Sequence, residues 1–337
     1  MTMKTVLPTA MLLLLLGCSQ HQDDTTISPQ PTTTCRLVSY DEATSIQGQG
    51  VVGTSRTTYQ ATFNADGQLT SASSNDKTQA ATNSFESQAT TRFQYEMAGF
   101  LQQSVTTTQT TSTYASTTTT SNYTETNQFS YTTNRLTTAL HRSVWSSAGT
   151  TYRSTKTDTY QYDGEGRLSQ YMATDSASRS VLVYTYSAGQ LTRVTQDGKD
   201  LYTIQQGRIT GSTTGLTRSY DAKGRLTSTK SSGLSIEYEY AETGQSVLLA
   251  YPEFRFKGMP FEALFQVLGG AELHGLVQRE TQYQETNGSR QKVDETIRTF
   301  ELNAQGLPTR QSSTRTVSGS GSRTERGTAL YTYRNCP

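Results

Sequence analysis

Between residues 36 and 336 the chain repeats one short arrangement of apolar and polar positions: aromatic, polar, aromatic, a polar cluster containing glycine, then leucine. It is clearest in "YQYDGEGRLSQ" (160–170), "SYDAKGRLTST" (219–229), "YTYSAGQLTRV" (184–194) and "TFNADGQLTSA" (62–72). Looser copies stand at 93–103, 129–139, 202–212, 239–249 and 299–309, and the copy at 129–139 has Asn134 where the others have glycine. An aromatic-x-aromatic run places Tyr160 and Tyr162 on one face of a strand, because side chains alternate with period two. The polar cluster reads as a turn. Asp163 at its first position accepts a hydrogen bond from the backbone two residues on, and Gly166 supplies the left-handed backbone that a tight turn needs. Asp221 with Gly224, Asn64 with Gly67 and Asn303 with Gly306 keep the same spacing. Leucine then opens the return strand, so the pattern predicts hairpins with turns of about four residues.

The acidic residues of these turns are turn formers rather than a chemical site. Where Asp163 stands, other copies have Asn64, Glu96 or Ala241, and where Glu165 stands they have Asp66, Lys223 or Thr243. A catalytic or calcium-binding pair would not tolerate those exchanges, and the loop lacks the dense acidic ladder of a calcium site.

Two segments depart from the repeat. The threonine-rich run "SVTTTQTTSTYASTTTTSNYTETNQFSY" (104–131) lies between two repeat turns and ends in Phe-x-Tyr, so it reads as two long strands around a tip near Tyr114–Ser116. The segment 251–280 is richer in aliphatic residues and loses the repeat spacing. Within it Phe261, Leu264, Phe265 and Leu268 fall at i, i+3, i+4 and i+7 between Pro260 and Gly269, which predicts a short amphipathic helix near 260–269. That helix either plugs the core or lids a ligand cleft.

The copies resemble YD repeats of the Rhs type, whose signature is Y-D-x-x-G-R-L, and more closely the short repeat-bearing lipoproteins of Bacteroidota, whose domain has no assigned function. The resemblance covers most of residues 36–336, with two copies close to the signature. Large proteins of that type wind many repeats into a shell around cargo; nine turns are too few for one.

The N-terminus sets the compartment. "MTMKTVLPTAMLLLLLGCSQ" carries Lys4, an apolar run from Val6 to Leu16 and then Gly17-Cys18. That run is too short for a membrane span and has the form of a secretion signal. "LLGC" resembles the bacterial lipobox, which implies cleavage after residue 17 and a lipid on Cys18. Residues 18–34 then form the lipidated cysteine and a flexible tether, polar and proline-bearing, which cannot bury enough surface to fold. Ser19 after the lipidated cysteine resembles outer-membrane retention, and Asp23-Asp24 resembles a surface-export signal. Cys35 and Cys336 remain, one at each end of the domain 35–337. In an oxidising envelope they predict a disulfide joining the first strand to the last.

Composition narrows the function. A formal net charge of +1 gives no field to draw nucleic acid. The three histidines, His21, His141 and His274, have no metal-binding spacing, and no nucleophile, phosphate-loop or dinucleotide motif is present. Glu237 and Glu239 read as a solvated strand face opposite Tyr238 and Tyr240.

The expectation is an all-β antiparallel meander of repeated hairpins, a twisted sheet or partly open barrel with one short helix. It would be held at the outer membrane by its lipid anchor and face the cell surface, without catalysis or cofactor. It would bind through its surface, a glycan or another envelope protein being suitable partners. The alternative is an envelope carrier holding a lipid or other apolar ligand under Phe261, Leu264, Phe265 and Leu268.

Overall fold

The computed structural model describes residues 35–48, 51–251, 256, 257, 259, 275–286, 288–319 and 322–336. Both the helix expected near 260–269 and residues 1–34 lie outside them.

Twenty-one strands form one antiparallel sheet. The first nine are long hairpin arms: β1 (Arg36–Gly48), β2 (Val51–Phe63), β3 (Leu69–Ala80), β4 (Asn83–Tyr95), β5 (Leu101–Tyr114), β6 (Thr117–Thr132), β7 (Arg135–Ser147), β8 (Thr150–Tyr162) and β9 (Leu168–Asp175). Shorter strands follow: β10 (Arg179–Ser187), β11 (Gln190–Gln196), β12 (Lys199–Asp200), β13 (Tyr202–Gln205), β14 (Arg208–Ser212), β15 (Thr217–Tyr220), β16 (Leu226–Ser231) and β17 (Leu234–Tyr240). The chain then leaves the sheet through a 3-10 turn at Val247–Ala250. It returns as β18 (Val277–Thr286), β19 (Ser289–Leu302), β20 (Pro308–Val317) and β21 (Arg323–Arg334).

The meander closes on itself. β21 pairs antiparallel with β1 from Arg36↔Arg334 to Gly48↔Arg323. The remaining seam, between β11 and β13, is bridged where Leu201 N–H donates to the Val194 carbonyl at 2.9 Å. Closure leaves almost no free edge, the weak point of an open sheet. Cys35, just before β1, and Cys336, just after β21, form a disulfide across 301 residues with Cα atoms 4.5 Å apart.

Most of the repeat turns have one of two forms. At 163–166, 221–224, 64–67 and 303–306 the glycine N–H donates to the carbonyl three residues back, at 2.9–3.1 Å. Asp163 Oδ1 accepts from the N–H groups of Glu165 and Arg167, and Asp221 Oδ1 accepts from that of Arg225. Partial burial works against the Asp163 charge, but hydrogen bonds from Arg167 hold its carboxyl below the usual range. At Thr133-Asn134, Ala188-Gly189 and Gln206-Gly207 the turn has two residues, both at positive φ. These copies therefore close more tightly than the four-residue spacing predicts, in the primed geometry that suits the twist of the flanking strands.

Several repeats are tied to the one before them. The arginine of one copy stacks on the second aromatic ring of the next: Arg135 on Tyr162 at 5.4 Å, Arg167 on Tyr186 at 4.6 Å, Arg208 on Tyr220 at 5.8 Å and Arg225 on Tyr240 at 4.6 Å. That tyrosine's hydroxyl then donates to the backbone carbonyl of the preceding copy's aliphatic residue. Tyr162 reaches Leu136 at 2.8 Å, Tyr186 reaches Leu168 at 3.0 Å and Tyr240 reaches Leu226 at 2.8 Å. Gly166 and Gly224 serve twice, since besides their φ of +84° and +80° a Cβ there would overlap the guanidinium of Arg135 or Arg208. The arginine is not universal: Gln68 and Gln190 take its place in two copies. In a third Phe100 replaces it, its ring packs on Tyr131 at 5.0 Å, and the Tyr131 hydroxyl is buried without a hydrogen-bond partner among the described residues.

The aliphatic residues that follow the turns are Leu69, Leu101, Leu136, Leu168, Leu191, Ile209, Leu226 and Leu307. With Leu37 they are at most 3% exposed; all but Leu226, which packs with Val277 in a second cluster, join in one dry collar at the turn end of the barrel. Burying each contributes about 1.5–3 kcal/mol. Tyr59, Phe93, Tyr160, Tyr184 and Tyr331 add the next layer. Ala250, Phe256 and Met259, outside the sheet, complete the same cluster, with Phe256 against Phe93 at 5.3 Å and Tyr251 against Tyr59 at 5.2 Å.

The opposite faces of the strands are mainly polar, with scattered apolar residues such as Val52, Val183, Ile297 and Leu330. In β4 the outward set is Ser84, Glu86, Gln88, Thr90, Arg92 and Gln94, while Ser87, Ala89, Thr91 and Phe93 are buried inside. In β8 the outward set is Thr151, Arg153, Thr155, Thr157, Thr159 and Gln161. Ion pairs lace this exterior, among them Arg56–Asp41 at 2.8 Å, Arg290–Glu237 at 2.7 Å and Arg279–Glu239 at 3.3 Å. The threonine run forms β5 and β6, and cross-strand hydroxyls pair, as at Thr91–Thr106 (2.9 Å) and Thr113–Thr118 (3.1 Å).

Two outcomes follow from this construction. Tyr162→Phe, Tyr186→Phe and Tyr240→Phe each lower stability by about 1 kcal/mol, whereas Tyr131→Phe, whose hydroxyl has no partner, lowers it not at all; thermal melts of the four variants check this. Replacing Cys35 and Cys336 by alanine removes up to about 5 kcal/mol. Denaturant titration should show a lower midpoint, with reduced wild type matching the double variant.

Candidate binding site in the barrel lumen

Away from the collar the inner wall changes character. A cavity of about 650 Å3 opens between β1, β2 and β3 on one side and β18, β19, β20 and β21 on the other, against Ser246, Val247 and Tyr251. That volume lies in the range of small-molecule sites. Strand register orders its wall in rungs. The floor is Tyr331–Tyr40–Tyr59–Ser74, since Tyr40 pairs with both Tyr331 and Tyr59, and Tyr59 with Ser74. One rung further out runs Ala329–Glu42–Thr57–Asp76.

The wall is charged. Arg315 Nε lies 3.0 and 3.1 Å from the two carboxylate oxygens of Asp294, and Arg315 Nη1 is 3.4 Å from Glu325. Glu325 also takes Arg323 Nε at 2.6 Å, and Glu280 stands 3.7 Å from Arg298. Hydrogen bonding to Asp294 outweighs desolvation and holds the Arg315 pKa above its ordinary value. The Tyr40 hydroxyl donates to Glu42; burial, then the Glu42 charge, push that phenol far up. Burial likewise pushes the Asp76 carboxyl up, against a hydrogen bond from Thr57.

A second polar group sits inside the wall of β6, β7 and β8. Asp158 is fully buried, with His141 Nε2 3.0 Å from Oδ2 and Lys156 Nζ 3.0 Å from Oδ1. Burial alone would raise its pKa, but the hydrogen bond from His141 and the Lys156 charge hold it below the ordinary value. The other imidazole nitrogen meets Asn127 Oδ1 and lies 3.8 Å from Glu125. His141 is thus a lumen residue held on both nitrogens, which its lack of metal-binding spacing in the sequence did not announce. Trp145 and Tyr152 stack at 5.3 Å on the same face, nearer the open end.

Cys18 and the lid residues Phe261, Leu264, Phe265 and Leu268 fall outside the described residues. Asp163, Gly166, Asp221, Gly224, Asn64 and Gly67 stand together at the turn end, away from the cavity's charged rungs. Charged and hydroxyl side chains share the cavity wall with Val247, Leu276, Val277 and Phe300, so it is not the continuous apolar wall that suits a lipid. The lumen carboxylates escaped the sequence reading although a signal exists. Glu42 follows Tyr40 by two residues, Glu125 follows Tyr123 by two, and Asp158 precedes Tyr160 by two, so each shares the inward face of a tyrosine.

No family model matches the chain, and no curated protein matches it in sequence. Among solved structures it is similar to a porin-like protein from Bacteroides uniformis, with 16% identity over 92% of this chain and 100% of that one, at a TM-score of 0.33. It is also similar to the outer membrane protein OpdK from Pseudomonas aeruginosa (8% identity, 89% and 98% coverage, TM-score 0.23). A third likeness is to the β domain of the Bordetella autotransporter BrkA (6% identity, 88% and 98% coverage, TM-score 0.21). At these values the functional reading rests on the barrel's own residues.

Proposed function

We propose that this chain is a lipid-anchored envelope protein whose barrel stands in water and binds a small polar ligand in its lumen, without catalysing a reaction. The observation that carries this reading is the inversion of the barrel's two faces. A barrel that spans a bilayer turns an apolar band outward, and each Arg or Lys at its midplane costs about 2–4 kcal/mol. This exterior instead carries Thr, Gln and paired charges, whereas the interior combines a dry collar with a cavity that holds five carboxylates and two guanidiniums. The lipobox-like "LLGC" supports attachment through Cys18, with residues 19–34 as the tether. The YD-like repeat then supplies the scaffold, because several hairpins are locked to their predecessors. The carboxylates and guanidiniums in the cavity wall favour a ligand with polar groups over the lipid of the carrier reading.

Native mass spectrometry of the full-length protein, released gently from its own membrane, should show a bound small molecule. The same molecule should be absent from a folded Thr57→Trp variant, whose indole fills the cavity between Glu42 and Asp76. An empty lumen in both proteins, after purification and after incubation with envelope extract, would contradict the reading. Asp23-Asp24 further supports an outward-facing domain, so protease added to intact cells is expected to remove it. Protection until the outer membrane is opened would place it on the periplasmic side.

A further inference from the structure

We propose that the lumen cavity takes a ligand bearing ammonium groups, held between Glu42 and Asp76. This rests on the lumen-binding reading and adds the charge of the ligand. Five carboxylates line the cavity, Glu42, Asp76, Glu280, Asp294 and Glu325, against the guanidiniums of Arg298 and Arg315. Asp294, Glu325 and Glu280 are matched to arginines, as described above. Glu42 and Asp76 form no ion pair among the described residues. Glu42 holds only the Tyr40 hydroxyl, and Asp76 that of Thr57, while Asp76 Oδ1 is buried with no hydrogen-bond partner. Leaving a carboxylate oxygen buried and unmatched is costly, and a donor entering the cavity would remove that cost.

Geometry selects among cations. Glu42 and Asp76 flank Thr57 on strands two apart, so their backbones stand roughly 10 Å from each other. One metal ion needs its oxygen ligands within about 2.6 Å, which that separation does not favour. A molecule with spaced ammonium groups, or one ammonium and a body of hydroxyls, spans it. Beneath them Tyr40, Tyr59, Tyr251 and Tyr331 form an aromatic floor, and ring faces attract cations within about 6 Å. An anionic ligand would meet the unmatched carboxylates and be repelled. A neutral sugar would use the tyrosines and Gln311 and could donate hydroxyls to the two carboxylates, but it would leave their charge uncompensated.

The test is isothermal titration of the full-length protein in detergent micelles with spermidine and glucosamine, and with glucose and glutarate as neutral and anionic probes. The amines should bind. Glu42→Gln and Asp76→Asn should each weaken them about tenfold, as loss of one charge-assisted contact implies, and Thr57→Trp should abolish binding. Asp76→Asn should melt no lower than wild type, which separates a lost ligand contact from a lost fold. Amine binding indifferent to both substitutions would overturn the proposal as adsorption elsewhere. Glucose or glutarate binding that Thr57→Trp abolishes, without any amine binding, would overturn the charge assignment and leave the lumen reading standing. Failure of all four probes to bind, together with an empty lumen by mass spectrometry, would remove both.

Discussion

A tyrosine hydroxyl reaching back to the carbonyl of the preceding hairpin, beneath an arginine laid on the tyrosine ring, is the contact on which the rest of this barrel depends. A wide closed sheet has more interior than this chain's sparse aliphatic residues can fill, so its stability concentrates where those residues are gathered. The leucine after each turn is placed in the collar by the turn itself, and the Tyr–carbonyl bond fixes the next turn at the same height. Repetition of one local link therefore produces a continuous dry end. Because that end carries the packing, the other is free to be polar, and there the cavity lies. The disulfide between Cys35 and Cys336 closes the ring at the packed end, where β1 meets β21.

The packed end was legible in the sequence for physical reasons. A positive-φ glycine after an Asx residue announces a turn from four residues, and the following leucine must point inward by period two. The long β5–β6 hairpin was legible too: a threonine run can also be a disordered, glycosylated linker, but one that lies between two repeat turns and ends in Phe-x-Tyr reads as strands. What escaped depended on partners far along the chain. The closing pair of β1 with β21 joins segments about 300 residues apart, and no local pattern announces it beyond the two cysteines. The two-residue turns at Asn134, Gly189 and Gly207 look like the four-residue copies until both positive φ values are seen. Glu42 and Asp76 look like ordinary surface carboxylates, because only the register shows them flanking Thr57 inside the lumen. The Arg–Tyr ladder lay in view as the consensus itself, but its partners are in successive copies rather than within one.

The two faces of the sheet carry the functional reading together. Outward threonines, glutamines and paired charges make a surface that water solvates at little cost, and the same residues in hydrocarbon would each be a penalty. Inward, arginines match three carboxylates of the cavity and leave two unmatched, at a place where a small ligand has room. His141, Asp158 and Lys156 show the other solution available to this scaffold: a charge buried in the wall and ion-paired by a histidine of the adjacent strand and a lysine of its own. The contrast between that ion-paired group and Glu42 and Asp76, which have no ion pair among the described residues, is what separates structure from binding here.

The account stands or falls on which side of the wall meets water. Single cysteines placed outward at Thr58, Gln94, Thr126 and Thr314, in protein held in its native membrane with Cys35 and Cys336 joined, can be challenged with a membrane-impermeant maleimide after the envelope is opened. Labelling at every outward position, from strand end to strand middle, is the predicted result. A protected band about 25 Å tall around the middle of the strands, with labelling only above and below it, would mean that lipid covers this surface and would contradict the account.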